Sequence, residues 1–245
     1  MMKTMIRWGH HTDVGRVRRA NQDSVMANGN LFVVADGMGG HRGGEVASGI
    51  TTDHFLELGE VETIDELEQA VIDANDKIRA RGSEDSGLDG MGTTVVAIAV
   101  LPTDEPGGPL YLGAANVGDS RLYLLEDGEL SQVSTDHSLV DELVRAGQLT
   151  QAEAARHPQR NVVTRALGAD SKVVVDTWKL RSQVGQRYLL CSDGLVNEVS
   201  NDDVVTVLKE TESPKDAAVR LVDLANNAGG RDNISVLIVD IVESG

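Results

Sequence analysis

The spacing of apolar residues predicts an early buried strand followed by two amphipathic helices. Residues 31–35 form an uninterrupted apolar run, LFVVA, that ends at Asp36 and a cluster of glycines, as expected of a buried strand. Residues 45–58 and 64–80 instead place apolar side chains at helical spacing, and TIDE at 63–66 has the register of a capping box. We therefore expect the fold to place the Asp36 carboxylate at a strand end.

Antiparallel strands are predicted in the middle of the chain. The runs 93–101, 110–117 and 121–125 are rich in β-forming residues, and TDEPGGP between the first two contains the Gly and Pro of a hairpin-like connection. Residues 126–128, Glu-Asp-Gly, predict a tight turn into another short strand before His137, because Asp-Gly readily adopts positive φ. The β-layer therefore continues through this turn.

Helices and further strands are predicted in the second half of the chain. Residues 138–168 interrupt the β pattern, and SLVDELVRAGQLTQAEAARHP and NVVTRALG look like short helices separated by polar links. Strand-like VVVDTWKL and RYLLCSD follow, then helices around 202–209 and 214–226 and a strand at 234–242. Strands that come in adjacent pairs favour an α+β mixed sandwich, two sheets with helices outside, over an alternating parallel sheet.

Length and composition favour a single domain spanning residues 1–245. The chain is 40% apolar, enough for one large core, and no repeat or low-complexity linker divides it. No apolar stretch reaches the roughly 18 residues of a membrane span, and MMKTMIRWGHH lacks a signal-peptide core. The single cysteine, Cys191, lies in an apolar run and predicts a buried thiol in a reducing compartment. We expect a cytoplasmic protein, unless the chain is cut from a longer membrane-anchored one.

The charge of the chain restricts its partners. A net charge of -17 opposes binding to phosphate backbones or anionic lipid, and 3% aromatic residues offer little for base stacking. We therefore expect no nucleic-acid partner and no membrane insertion. A phosphorylated substrate would need a local positive centre, made by metal ions and a few arginines. No coiled-coil repeat or long exposed apolar stripe is present, so we expect a monomer.

Acidic motifs lie at the edges of the apolar, strand-like runs. Hard cations such as Mg²⁺ and Mn²⁺ prefer oxygen ligands, and no Cys or His cluster indicates zinc. Any single Asp-Gly is more often a plain turn, so the hypothesis rests on the combination of motifs at strand edges, where an unneutralised carboxylate is costly. The motifs are NQDS at 21–24, DGMGGH at 36–41, GDS at 118–120, SDG at 192–194 and RDN at 231–233, and the candidate ligands are Asp36, Asp119, Asp193 and Asp232.

The glycines after Asp36 have two interpretations. The missing side chain of Gly37 would let its carbonyl approach a metal, and the later glycines would keep the rim open. The alternative is a phosphate-cradling nucleotide loop. DGMGGHRGGE fits that loop poorly, because it lacks the lysine and hydroxyl of GxxxxGK[ST] and does not match GxGxxG. The sequence therefore favours the metal site.

Six motifs occur in order along the chain: VRRANQDS, VADGMGGHRGGEVAS, GMGTTVVA, ANVGDSRLYLL, LLCSDGL and GGRDNISVLIV. Together they resemble the metal-dependent protein phosphatases of type 2C, and in particular their single-domain bacterial branch. The resemblance covers about residues 12–242. It implies a four-layer α/β-β/α sandwich with two central, mainly antiparallel sheets and two Mn²⁺ or Mg²⁺ ions at one end. The segment 138–168 then corresponds to the flap of bacterial members.

The resemblance also implies ligand roles. Asp36 would bridge both ions, the Gly37 carbonyl would bind one of them, and Asp193 with Asp232 would complete the other. Asp23 would lie in the outer shell and hold water.

A third, weaker ion and a phosphate-binding arginine are implied in the same way. Asp119 in the GDSR motif matches the position that binds the third ion together with Asp193. Arg18 matches the arginine that holds the substrate phosphate, a task that suits a planar guanidinium. Arg16 and Arg19 are neighbouring alternatives.

The mechanism implied by the resemblance is direct attack on phosphorus by a metal-bridging hydroxide, so that neither Ser24 nor Cys191 is needed as a nucleophile. The general acid stays open. Met38 stands where animal relatives have a His, and either His41 or a metal-bound water would protonate the leaving alkoxide.

Other polar residues carry two interpretations each. Gln22 stands where animal relatives carry an acid, so its water-holding role is in doubt, and Asn233 either orients Asp232 or caps the adjoining turn. Ser192 is read as a turn or supporting residue. Three residues in or next to the insert either face substrate or serve as solvated or capping residues: His137, His157 and Arg160.

The sequence thus predicts a phosphatase for phosphoserine and phosphothreonine in proteins, reversing bacterial kinases of eukaryotic type. Two alternatives are an inactive relative that binds phosphoproteins and a small-molecule phosphatase with the same metal centre. The complete set of candidate ligands with Arg18 argues against the inactive relative, which has no chemical need for it.

Overall fold

The computed structural model describes residues 4–39, 42–103 and 109–243. In these ranges the strands are β1 (Thr4–Asp13), β2 (Asp23–Ala27), β3 (Leu31–Met38), β4 (Gly92–Thr93), β5 (Val95–Leu101), β6 (Leu110–Val117), β7 (Arg121–Glu126), β8 (Glu129–Gln132), β9 (Asp176–Ser182), β10 (Arg187–Cys191) and β11 (Ile234–Glu243). The helices are α1 (Gly43–Leu58), α2 (Ile64–Glu84), α3 (Leu139–Arg145), α4 (Gln151–Ala154), α5 (Asp193–Val196), α6 (Asn201–Glu210) and α7 (Pro214–Ala228). None of these helices is long and apolar enough to cross a membrane.

Two antiparallel sheets face each other at the centre of the molecule. One has the strand order β1-β11-β10-β7-β8, and the other has the order β2-β3-β5-β6-β9, with β4 paired to β3. Helices α1 and α2 cover the second sheet, whereas α5, α6 and α7 cover the first. The four-layer α+β sandwich predicted from the sequence is confirmed.

The continuous apolar run of strand β3 is explained by burial on both faces of the strand. Leu31 and Val33 pack in the core beneath α1 and α2, whereas Phe32 and Val34 pack in the core between the two sheets. All four are fully buried. A strand covered on both faces has no solvent-facing positions, so it does not alternate with polar residues. β11 is built in the same way, with one face beneath the helices and the other between the sheets.

The segment between β8 and β9 contains the short helices α3 and α4. Each begins with a side-chain cap, from Ser138 and Thr150 respectively. The predicted helix NVVTRALG is wrong. Residues 161–168 are not helical, and Val163 and Leu167 form isolated antiparallel bridges with Ser138 and Thr93. β-branched residues in this stretch lose side-chain freedom in a helix, which favours the extended chain.

Other predicted boundaries differ in detail. β5 begins at Val95, because Thr94 turns from the strand to contact other parts of the chain, and β9 begins only at Asp176. Asp127 and Gly128, with φ of 52° and 84°, form the turn predicted at 126–128. Most of the predicted loop TDEPGGP, residues 104–108, lies outside the described residues.

Candidate metal centre

Five aspartates from both sheets converge at one end of the sandwich. Asp36, near the end of β3, pairs in register with Asp23 at the start of β2. Asp119 follows β6, Asp193 opens α5 directly after β10, and Asp232 lies two residues before β11. The structure therefore brings together every carboxylate that the sequence predicts as a ligand. An open cleft of about 330 Å³ is lined by Asp36, Asp119, Asp193 and Asp232 together with Arg18 and Gly37.

Asp36 has the most strongly perturbed surroundings. Burial raises the pKa of Asp36 well above its usual range, and the charges of Asp23 and Asp193 raise it further. Burial and the charge of Asp232 also raise the pKa of Asp193, while hydrogen bonds with Asp36 and Asn197 oppose this. The carboxyl groups therefore repel one another when they are ionised.

Asp23 and Asp119 share this environment. Burial raises the pKa of Asp23 to about 7, against hydrogen bonds from the hydroxyls of Ser235 and Ser192. Burial, followed by the charge of Asp193, raises the pKa of Asp119 to about 7. Among the described residues, Oδ1 of Asp23 is buried and has no hydrogen-bond partner. The cluster is thus short of positive charge.

The donor set fits a hard divalent cation. Mg²⁺ and Mn²⁺ take carboxylate and carbonyl oxygens, and no described residue that lines the cleft is a Cys or a His. Within the described part of the chain, however, no three acidic, His or Cys side chains already surround one ion position. Oδ2 of Asp232 instead accepts a hydrogen bond of 2.7 Å from Nη2 of Arg18. A cation and the Arg18 guanidinium would compete for that oxygen.

Arg18 is the one of the three neighbouring arginines that lines the cleft. The hydrogen bond to Asp232 raises the pKa of Arg18, and the charges of Asp36 and Asp193 act in the same direction. Its side chain is still 53% exposed. Arg16 and Arg19 are also exposed but do not line the cleft. The guanidinium of Arg18 is therefore placed to meet an anion that enters beside the carboxylates.

We expect the stability of the metal-free protein to fall as pH rises from about 4 through about 7. Asp23 and Asp119 have folded-state pKa values of about 7, above the ordinary aspartate value of 3.8. The folded protein therefore binds more protons than the unfolded chain in this window, and stability present below it is lost as the pH rises. Urea unfolding in EDTA at several pH values measures the effect. Asp119→Asn should flatten the curve; an equally steep curve in that variant would contradict the assignment.

Packing leaves no room for a side chain at Gly37. A Cβ at Gly37 would lie 2.1 Å from the Gly44 carbonyl oxygen and 2.4 Å from that of Gln22. The Gly37 amide also donates to the Gln22 carbonyl at 3.2 Å. The start of α1 thus packs directly on the strand end that carries Asp36, a reason for this glycine that the sequence interpretation did not give.

Gly37→Ala should destabilise the protein by about 1–3 kcal/mol or more, because backbone atoms would have to move to admit the methyl group. Urea unfolding measures the change. Gly49→Ala is the matched control in α1, since a Cβ there meets nothing within 4 Å. It should leave stability unchanged or raise it by about 0.5–1 kcal/mol, as expected for Gly to Ala in a helix. Equal effects in the two variants would refute the packing argument.

Two threonines that the sequence interpretation missed hold the backbone of Asp36. The Asp36 amide donates to Oγ1 of Thr94 at 3.1 Å, and its carbonyl accepts from the Thr94 amide at 2.9 Å and from Oγ1 of Thr93 at 2.9 Å. Oγ1 of Thr94 also lies 2.6 Å from the hydroxyl of Ser120, next to Asp119. The only sequence signal was the TT of the GMGTT motif.

Three other polar residues support the site. The Ser192 hydroxyl donates to Oδ2 of Asp23 at 2.8 Å, as its supporting role predicts, and Nδ2 of Asn197 donates to Asp193 at 2.9 Å. Asn233 does more than orient Asp232. Its Nδ2 donates to the carbonyls of residues 14 and 20, and its Oδ1 accepts from the amide of residue 22. Asn233 therefore fixes the loop that carries Arg18.

Four remaining candidates are either buried, away from the cleft or outside the described residues. Cys191 is buried, and burial raises the pKa of its thiol to about 12. The Ser24 hydroxyl lies 2.7 Å from that of Thr52 and does not line the cleft. His137 is 1% exposed and so does not face substrate. His41, the candidate general acid, lies outside the described residues.

Arg160 lines a second cleft of about 420 Å³ that shares Asp119, Asp193 and Asn161 with the first. The side chains of α3 and α4 form one wall of it, and residues of α5 form the other. His157 does not line either cleft, and its Nδ1 accepts from the amide of Gln159.

Comparison with known proteins gives a consistent result. The family description Protein phosphatase 2C matches residues 2–234. The serine/threonine phosphatase Stp of Listeria welshimeri is 39% identical over 94% of this chain and 93% of its own length. The crystal structure of the Mycobacterium tuberculosis serine/threonine phosphatase PstP superposes with a TM-score of 0.90, at 38% identity, over 99% of this chain and 100% of that one.

A second PstP structure, its catalytic domain in complex with two manganese ions, has a TM-score of 0.88 at 37% identity, over 98% of this chain and 100% of that chain. The family match includes all five acidic motifs, from residues 21–24 to 231–233, and the PstP superposition covers nearly the whole chain. This chain therefore belongs to the protein phosphatase 2C family.

Proposed function

We propose that this protein is a metal-dependent phosphatase that hydrolyses phosphoserine and phosphothreonine in proteins. The observation that carries the proposal is the convergence of Asp36, Asp119, Asp193 and Asp232 in one cleft with Arg18 beside them. The similarity to bacterial serine/threonine phosphatases supports the same substrate class.

Some residues of the cleft would bind the cations, and Arg18 would bind the substrate phosphate. Two Mn²⁺ or Mg²⁺ ions would be held by Asp36, Asp193, Asp232 and the Gly37 carbonyl. Asp119 would take part in a third, weaker site, and Asp23 would lie in the outer shell of the ions and hold water. When bound, the ions would acidify water and polarise the phosphoryl oxygens. Arg18 would hold the remaining phosphoryl oxygens with paired, charge-assisted hydrogen bonds.

Direct attack by water is supported by what the cleft offers. Among the described residues that line it, none is a Ser, Cys, His or Lys. The one hydroxyl, on Thr94, is already hydrogen-bonded to Ser120 and to the Asp36 amide. These side chains therefore provide no free hydroxyl, thiol or imidazole to form a covalent phospho-enzyme.

A protein substrate suits the shape of the site better than a small molecule. The metal cleft is open, and the adjoining cleft of about 420 Å³ extends its surface along α3 and α4. A polypeptide on both sides of the phosphorylated residue would contact this surface, whereas a small phosphate ester would not reach it.

We propose further that residues 1–245 act as one catalytic domain with a flap at about 138–168. The substrates would be targets of bacterial kinases of eukaryotic type, dephosphorylated in the cytoplasm by a monomer. The bacterial phosphatases to which the chain is similar support the choice of substrates. Size-exclusion chromatography with light scattering tests the monomer, and a phosphoproteome comparison after gene deletion tests the substrates.

The decisive experiment compares p-nitrophenyl phosphate with phosphothreonine peptides, with and without Mn²⁺. We expect hydrolysis of both with Mn²⁺, complete loss in EDTA and recovery when Mn²⁺ is restored. Peptide binding without hydrolysis would instead identify an inactive phosphoprotein-binding relative. Hydrolysis of small esters but not of peptides would identify a small-molecule phosphatase.

A further inference from the structure

The buried imidazole of His137 is attached to the turn that carries Asp119. Nδ1 of His137 accepts a hydrogen bond of 3.0 Å from the Gly118 amide, and the His137 amide donates to the Gly118 carbonyl at 2.9 Å. Gly118 directly precedes Asp119 and has a φ of 109°, which favours glycine. On its other side the turn packs on Thr94, which leaves no room for a Cβ at Gly118. His137 therefore closes one side of this turn.

The contacts of the ring fix its tautomer and orientation. Because Nδ1 accepts an amide proton, the ring proton lies on Nε2, which is 3.1 Å from Oδ2 of Asp176 at the start of β9. The other oxygen of Asp176 accepts from Nη1 of Arg165 at 3.0 Å. The imidazole is thus held from both ends, with its acceptor nitrogen directed at the Asp119 turn.

The main chain around His137 connects the same turn to the end of the insert. The His137 carbonyl accepts from the Thr164 amide at 2.8 Å, and Ser138 forms a bridge with Val163. Val163 lines the metal cleft together with Asp119. One buried residue therefore joins the Asp119 turn, β9 and the last residues of the flap.

We propose that His137 is a positioning residue for Asp119: its Nδ1 holds the Gly118 amide, and the turn fixed in this way places the Asp119 carboxylate where it can bind the third, weaker cation. This inference rests on the proposed function, which makes Asp119 a cation ligand. Residues that orient metal ligands through hydrogen bonds typically contribute about 10- to 100-fold to metal affinity. A role in packing alone would require only the volume of the ring.

Two substitutions of His137 separate the roles of its two ring nitrogens. The Oδ1 of His137→Asn can occupy the place of Nδ1 and accept from Gly118, whereas the amide of His137→Gln reaches toward Asp176 and leaves the Gly118 amide without its acceptor. Mn²⁺ titration by calorimetry or by electron paramagnetic resonance then counts the ions and measures the weakest affinity. Hydrogen exchange of the Gly118 amide, measured without metal, reports the turn itself.

We expect His137→Gln to weaken the weakest Mn²⁺ site by about 10- to 100-fold and to speed exchange at Gly118, while His137→Asn stays close to wild type in both. Asp119→Asn should lose the same site. Asp176→Asn, which keeps the Nδ1 contact, is the matched control and should retain it. Thermal melting checks that each variant folds, and His137→Ala replaces the Gln variant if that one does not.

The inference is overturned if His137→Gln binds Mn²⁺ as wild type does while Asp119→Asn loses the weak site, or if the Asn and Gln variants lose it equally. Wild-type binding by Asp119→Asn would also overturn it, by removing Asp119 as a ligand. None of these results contradicts the proposed function as long as the wild-type protein hydrolyses phosphothreonine peptides in a Mn²⁺-dependent way. Failure of that reaction is a separate and distinguishable outcome.

Discussion

Asp36→Asn and Asp193→Ala should each lower kcat for phosphothreonine-peptide hydrolysis by about 10³-fold or more. Each removes a carboxylate from the centre of the cation cluster, and a catalytic metal contributes several kcal/mol of charge stabilisation, at about 1.4 kcal/mol per tenfold in rate. Both carboxyls line the cleft, and burial raises the pKa of each, followed by the charge of Asp23 at Asp36 and of Asp232 at Asp193. Steady-state kinetics at saturating Mn²⁺, together with Mn²⁺ titration, measure the loss.

The same variants should remain folded. Asp36→Asn removes one of five mutually repelling carboxyls, so the metal-free protein should unfold at a urea concentration no lower than that of wild type. Asp223→Asn, on the exposed face of α7, is the matched control and should keep full activity. Near-normal activity in either Asp36→Asn or Asp193→Ala would remove that residue from the proposed metal site.

Arg18→Ala should raise KM for phosphothreonine peptides by about 10- to 100-fold, because hydrogen bonds to charged groups are each worth about 1.5–3 kcal/mol. Inorganic phosphate should inhibit the variant more weakly by a similar factor. The half-exposed guanidinium of Arg18 lies beside the carboxylates but is not itself an acid or a base in the reaction. For Arg18→Ala, kcat should therefore fall by a smaller factor than KM rises. Initial-rate kinetics over a wide range of peptide concentration give the two parameters separately.

Two comparisons make this experiment specific to Arg18. Arg19→Ala changes an exposed arginine outside the cleft and should leave KM near wild type. Arg18→Lys keeps the charge but not the paired hydrogen bonds, so its KM should be intermediate. Arg18→Ala should also bind Mn²⁺ at least as well as wild type, since Asp232 loses its competing partner. An unchanged KM in Arg18→Ala would exclude the phosphate role.

Most of the fold follows from apolar spacing, and the exceptions have physical causes. Strands buried on both faces, such as β3 and β11, have unmistakable apolar runs. Strand β1 gives no such signal: Gly9 is its one fully buried residue, because the strand lies at the edge of its sheet. Its place is set by pairing with β11, which no local pattern reveals. The non-helical stretch at 161–168 likewise owes its shape to bridges with distant residues.

In the candidate site, too, the features that follow from local sequence can be predicted, whereas those that arise from tertiary contacts cannot. Acidic motifs at strand edges identify the carboxylates, because each motif is local in sequence. The supports of Asp36 on Thr93 and Thr94 are not local, since β3 and β4 meet only in the folded sheet. The pairing of Arg18 with Asp232 and the close approach of Gly37 to Gly44 also arise from tertiary packing. The sequence therefore identifies the candidate ligands but not the residues that position them.

The pairing of β1 with β11 has a consequence for the order in which the protein folds. Thr4 lies opposite Glu243 and Asp13 lies opposite Ile234, so this contact closes almost the longest loop that the described chain can form. Closing such a loop costs entropy before its contacts repay it, which makes the step slow. The Arg18 loop follows β1 and Asp232 precedes β11. During synthesis the catalytic cleft therefore stays incomplete until β11 has left the ribosome, and in refolding, activity cannot return before these two strands meet.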